Sequence, residues 1–183
     1  LDDEFNSISV SSSNNHEINV IMWMDHRAKK QTDFINSTNH SCLKTVGNFV
    51  SLEMDPPKIL WLKENMPETF NKAAHFFSLP DWLVWRFSNM NIRSICCAVC
   101  KCLYVSNETS KGWDSTFWSE IGLDELKLNN FSRIGSQVEK PFSFNRNLKI
   151  SLEMVQKFGL SSNLKVGVSM IDAHAGGVGG LSI

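Results

Sequence analysis

The run Val166-Gly167-Val168-Ser169-Met170-Ile171 is followed at once by Asp172-Ala173-His174-Ala175-Gly176-Gly177, which places a carboxylate between an apolar stretch and a glycine-rich turn. If the apolar run is a buried strand, an acid at its C-terminal end projects into the crevice where α/β sheets hold ligands. There it can accept a proton from a substrate hydroxyl. The same residue also suits a plainer task, capping a helix that begins at Ala173. A second chemical group is Lys101, the one charge interrupting the apolar, cysteine-rich run between Arg93 and Val105. It either snorkels to solvent from an edge position or reaches into a cleft toward an oxygen-rich ligand. A third is the polar turn Met24-Asp25-His26-Arg27, which closes the strand candidate Val20-Ile21-Met22-Trp23 and forms a plausible ligand rim. His174, beside the acid, reads as a supporting or structural histidine.

The elements that must position these groups alternate along the chain. Ala28 to Asn36 is rich in helix formers. Asp55 through Asn65 carries an acid at the cap, prolines in the first turn and apolar residues at helical spacing, with Asn65 and Pro67 as stops. A short helix from Pro67 to Ala74 leads into a brief strand, 75–79, and a further helix begins near Pro80 and ends about Phe87. Asp114 is placed to cap a helix from Ser115 to Ile121 whose apolar face is Phe117, Trp118 and Ile121. Leu148 to Phe158 reads as a helix with Gly159 at its C-terminal stop. This alternation of strands and helices points to an α/β domain. Residues 1–17, polar and rich in Ser and Asn, read as a loose arm ahead of a domain spanning 18–183.

Composition narrows the partners. The chain has 183 residues, 42% hydrophobic and 20% charged, with a formal net charge of -1, which gives no support to nucleic acid or acidic membranes as partners. No apolar stretch reaches the length of a bilayer span and no leader opens the chain, so a cytoplasmic protein is expected. It starts at Leu1 and stops just after a glycine cluster, which reads as a piece of something longer. Of five cysteines, four crowd into Cys96, Cys97, Cys100 and Cys102, too close for ordinary bridges. Cys97-x-x-Cys100 could bind zinc or act in redox chemistry, but it lacks a second ligand pair, and buried small hydrophobes are the favoured reading, with no metal ligands assigned.

Seven segments occur in one order: Trp23-Met24-Asp25-His26-Arg27-Ala28, Pro57-Lys58-Ile59-Leu60-Trp61-Leu62-Lys63-Glu64-Asn65, His75-Phe76-Phe77-Ser78-Leu79-Pro80-Asp81, Arg93-Ser94-Ile95-Cys96, Val99-Cys100-Lys101, Gly112-Trp113-Asp114 and Ile171 to Gly177. In that order they resemble the FGGY carbohydrate kinase family, most of all its ribulokinase-like members, over the front half of such a kinase. The resemblance implies a ribonuclease H-like (actin-like ATPase) domain, a mixed sheet flanked by helices. This would be most of the sugar-binding domain, with a C-terminal ATPase domain absent from the chain. It implies ATP-dependent phosphorylation of a sugar hydroxyl, on a ketopentose such as D-ribulose, with ATP and Mg2+ bound mainly by the absent parts.

By the same resemblance Asp172 matches the general base, Lys101 matches a lysine that contacts the keto-sugar, and Asp25 and Arg27 match an element beside the sugar cleft. Whether Asp25 touches the sugar or only pairs with Arg27 stays open. The chain departs from the family at several points. The Asp-x-Gly-Thr phosphate loop is missing, Cys102 stands where a tryptophan usually follows the lysine, and Asn48 and Ser88-Asn89 replace glycine-containing turns. The stretch 141–146 lacks the usual glycines. The isolated 183 residues are expected to be inactive, and the alternative for the whole protein is a catalytically silent sugar-binding or interaction module on the same fold.

Overall fold

Helix starts are set by proline and by small capping side chains. In the computed structural model, which describes residues 1–143 and 148–181, helix Asp55–Asn65 begins with Pro56 and Pro57, whose missing N–H groups fall where a helix has no internal acceptor. Pro67–Lys72 and Leu79–Ser88 start on the same principle at Pro67 and Pro80. Ser115–Glu120 is capped by Asp114, whose carboxylate accepts the N–H groups of Thr116 at 3.0 Å and Phe117 at 3.3 Å. Leu152–Phe158 is capped by the Ser151 hydroxyl and stopped by Gly159 at φ 62°. The remaining long helices are Lys29–Ser37, Ile95–Cys102 and Asp172–Leu181. Among the described residues no helix is long and apolar enough to cross a membrane.

The chain divides into two compact units, Leu1–Phe76 with Val99–Ser136, and Phe77–Ala98 with Gln137–Ile183. The first has the larger apolar core, in which Ile35, Leu43, Leu62, Phe70, Leu103 and Phe117 are buried together with Trp118. The second is centred on Val84, Ile92, Leu148 and Val168. Strand pairing is short and of both senses. In the second unit β1 (Arg93–Ser94) runs parallel to a later strand, and in the first β2 (Val105–Ser106) pairs antiparallel with β3 (Lys111–Gly112). The partner of β1 is β4 (Val138–Glu139), with Arg93 opposite Val138.

Several expected elements take another form. Residues 20–23 are not a strand: Val20, Met22 and Trp23 are exposed, and an extended run without a ladder partner leaves its N–H and C=O groups to be satisfied otherwise. Residues 75–78 likewise form no strand, and Phe76 N–H donates to Arg133 O at 2.7 Å. The apolar run before Asp172 is not a strand either: the isolated bridge, Lys149 to Lys165, lies just ahead of it, and the run supplies Val168 as a core side chain. The helix expected from Leu148 begins only at Leu152, because residues 148–150 are spent on that bridge, with Val166 N–H donating to Leu148 O. The glycine-rich segment is helix rather than turn, and residues 176–180 continue it although glycine is a poor helix former.

The two asparagines in place of glycines sit where the backbone is left-handed, Asn48 at φ 74° and Asn89 at φ 58°. Asparagine tolerates this region better than other side chains, which is why both turns survive the replacement. Of the glycine-poor stretch 141–146, residues 144–146 lie outside the described residues.

Candidate functional site

In the first unit the turn at 25–27 is internally locked. Asp25 Oδ1 accepts from Arg27 N–H at 3.1 Å and from Arg27 Nε at 2.9 Å, and Arg27 Nη2 pairs with Asp25 Oδ2 at 2.7 Å. The guanidinium lies over the Trp61 ring, 5.0 Å from its centroid. Burial pushes the Asp25 carboxyl up, but the hydrogen bonds from Arg27 and the charges of Arg27 and Lys58 bring it net below the usual carboxylate range. Asp25 is therefore ionised and engaged with Arg27. Its carboxylate can still accept from a sugar hydroxyl, because each carboxylate oxygen has more than one lone pair.

Lys101 stands in the last turn of helix Ile95–Cys102, half-buried, and its ammonium makes no hydrogen bond or ion pair with the described residues. It is electrostatically in touch with the 25–27 turn through Lys58. Burial draws the Lys58 ammonium below the usual lysine range, Asp55 and Asp25 oppose this, and Lys101 adds to it. Asp25 and Lys101 thus both bear on the charge of Lys58, within a group of charged residues of the first unit. The member that the sequence reading passed over is Lys58. Its signal is a lysine inside a run whose neighbours Pro57, Ile59, Leu60 and Leu62 are all buried.

Asp172 belongs to the second unit. It is the first residue of helix Asp172–Leu181 and is exposed, and no described residue donates a hydrogen bond to its carboxylate. The helix starts one residue earlier than a cap at this position requires. The carboxylate is consequently not consumed by backbone N–H groups and is available as a proton acceptor. Two residues further on, His174 Nδ1 lies 2.9 Å from Cys96 Sγ. Cys97 is buried, its thiol pushed up to about 12 by that burial, as expected for a small core hydrophobe.

A second group that the sequence reading left without a role is Asp81, buried in the same unit. Its Oδ1 accepts from Ser94 N–H at 2.9 Å and from the Ser169 hydroxyl at 2.8 Å, and its Oδ2 accepts from the Ser78 hydroxyl at 3.1 Å. One carboxylate, 2% exposed, thereby joins the start of helix Leu79–Ser88, strand β1 and the segment three residues before Asp172. Burial raises its pKa, with the donors and Arg93 opposing.

Asp81→Ala removes the acceptor of a fully buried N–H and is expected to cost about 1–3 kcal/mol beyond the lost contacts. Asp81→Asn retains an amide oxygen and costs less. A raised carboxyl pKa contributes stability that is present at low pH and lost as pH climbs from the ordinary carboxylate value through the raised one. Asp81→Asn removes that dependence, so its stability relative to wild type should improve with pH across this window. Urea denaturation at several pH values measures both effects.

Solved structures share the fold: the ligand-bound xylulose kinase from Lactobacillus acidophilus superposes with a TM-score of 0.72 at 18% identity, over 96% of this chain and 34% of that one. The class is thus the ribonuclease H-like, actin-like α/β fold of the sugar kinases. Residues 7–179 match the FGGY family of carbohydrate kinases, N-terminal domain, and the chain belongs to that family. It is 46% identical, over 98% of its length, to the FGGY carbohydrate kinase domain-containing protein of Xenopus laevis. It is also 44% identical, over 71% of its length, to a D-ribulokinase of Saccharomyces cerevisiae. It spans 32% of the first and 19% of the second.

Proposed function

We propose that this chain is the incomplete N-terminal, sugar-binding domain (18–183, after a polar arm at 1–17) of an ATP-dependent carbohydrate kinase acting on a ketopentose such as D-ribulose. Asp172 is the general base, Lys101 donates to the keto and hydroxyl oxygens of the sugar, and Asp25 and Arg27 belong to an element beside the sugar cleft. The observation that carries the reading is the carboxylate of Asp172 at a helix start, exposed and without a hydrogen-bonded partner among the described residues. Likeness to the yeast D-ribulokinase supports the choice of sugar.

A sugar hydroxyl is a poor nucleophile at neutral pH. A carboxylate within hydrogen-bond reach takes its proton as the oxygen attacks the γ-phosphorus, and the bond to the β,γ-bridging oxygen breaks to release ADP. Lys101 fits a carbonyl-bearing substrate because an ammonium offers three donors and no acceptor, so it orients oxygens without competing for the hydroxyl proton.

ATP supplies the phosphoryl group, and magnesium neutralises its charge when bound. Mg2+ takes an octahedron of oxygens, several of them water. In this reading the nucleotide and its metal are bound mainly by segments outside these 183 residues.

The test is ADP release by the full-length gene product over a panel of ketopentoses and polyols. Turnover of a ketopentose is expected, and its absence across the panel overturns the reading in favour of a silent binding module. Lys101→Met removes a charged donor, a loss of about 1.5–3 kcal/mol. It is expected to raise the sugar KM by about 10- to 150-fold while the KM for ATP stays put, measured by the same assay.

A further inference from the structure

Lys58 is a buried cation that the reaction outlined above leaves without a task. It is 8% exposed, and its ammonium donates to Met22 O at 2.6 Å and to Trp23 O at 3.0 Å. A lysine is rarely this buried unless its charge is satisfied. The carbonyls it holds belong to the segment expected to be a strand. That segment pairs with no other strand; its side chains Val20, Met22 and Trp23 face solvent, while Ile21 is partly buried against the apolar core.

The other donor to Met22 O is Asp25 N–H at 3.1 Å, which lies within the turn itself and cannot fasten it to anything. The fastening to helix Asp55–Asn65 comes from Lys58, one turn ahead of Trp61, whose ring carries Arg27. Residues 58 and 61 are three apart and share a helix face. One face of one helix therefore grips both ends of the 22–27 turn, by charge-assisted hydrogen bonds at Met22 and Trp23 and by an aromatic ring at Arg27.

We propose that Lys58 is a positioning residue: by holding the Met22 and Trp23 carbonyls it sets the placement of Asp25 and Arg27 for the sugar. The inference rests on the reading of Asp25 and Arg27 as sugar-bordering groups. It gives this face a substrate-directed purpose, since the turn has no ladder to order it. Methionine at 58 fills similar volume but leaves Trp23 O without its donor, whereas arginine keeps a cation and several N–H groups.

The experiment uses the full-length protein with Lys58→Met and Lys58→Arg, read by steady-state kinetics and by hydrogen exchange with mass spectrometry. For Lys58→Met the sugar KM is expected to rise at least about tenfold with the KM for ATP within twofold of wild type. Amides 20–27 should exchange faster while those of helix Lys29–Ser37 keep their protection. Lys58→Arg should restore part of the sugar KM. A sugar KM within twofold of wild type overturns the proposal, even if the turn exchanges faster. So does faster exchange across the whole chain with both KM values raised, which describes a merely structural lysine. A wild-type protein that turns over none of the sugars overturns the kinase reading and the sugar role of Lys58 together. Unaltered exchange at 20–27 would independently remove the clamp.

Discussion

Replacing Asp172 by asparagine in the full-length protein is expected to lower kcat for sugar-dependent ADP release by about 10²- to 10⁴-fold, with little change in the KM of either substrate. Asparagine has the same shape and the same place at the start of helix Asp172–Leu181, but its amide cannot take a proton. The carboxylate is exposed and accepts no hydrogen bond from the described residues. Losing its charge therefore leaves no buried donor unsatisfied, and the fold should be unaffected. This separates the base role from a stability role: equal melting temperatures with a collapsed kcat support the assignment. Turnover near the wild-type rate would remove Asp172 from the mechanism. The contrast with Asp81 is instructive, because there the acid is committed to three donors and its replacement should register in stability first.

The largest expected effect on stability comes from Trp118→Ala. The side chain is fully buried in the first unit, edge-on to Phe117 with centroids 5.3 Å apart and to Trp113 at 6.2 Å. Its backbone also closes the loop that follows, since Leu123 N–H donates to Trp118 O at 2.8 Å. Truncation to alanine removes the transfer energy of the indole and leaves a cavity, a loss of about 3–5 kcal/mol. That is a large share of the roughly 5–15 kcal/mol that holds an ordinary domain together. Trp118→Phe should cost much less, for a specific reason. The indole Nε1 is buried without an acceptor among the described residues, and removing such a donor recovers part of a desolvation penalty of about 1–3 kcal/mol. Urea denaturation of the three proteins, followed by circular dichroism, gives the order directly. Equal losses for the two variants would show that ring volume is not what this position supplies.

Where the sequence was legible, the cause was local. Prolines at 56, 57, 67 and 80, the Asp114 cap and the Gly159 stop act within a few residues of their own positions, and the helices they bound are present with shifts of one to a few residues. Burial of Phe117, Trp118 and Ile121 followed from spacing alone. The strands were another matter. An apolar run such as 20–23 or 166–171 becomes a strand only if a partner lies alongside, and nothing within the run says whether one does. The site residues divide in the same way. Asp25 and Arg27 pair across one residue, which their spacing already permits. The tasks of Lys58 and Asp81 depend on backbone carbonyls, a backbone N–H and a hydroxyl 13 to 88 residues distant.

The chain by itself determined its family, most of its helix boundaries and the identity of the residues that could do chemistry, because side-chain type, capping and motif order are properties of short segments. Only the tertiary structure decided which charged residues stand without a hydrogen-bonded partner and which are spent on the fold. Asp172 and Lys101 make no side-chain hydrogen bond or ion pair with the described residues, whereas Asp81 and Lys58 are buried against donors and acceptors from remote segments. The physical reason is that a charge withdrawn from water must find its hydrogen bonds wherever the folded chain supplies them. The cost of leaving it unsatisfied is set by long-range packing.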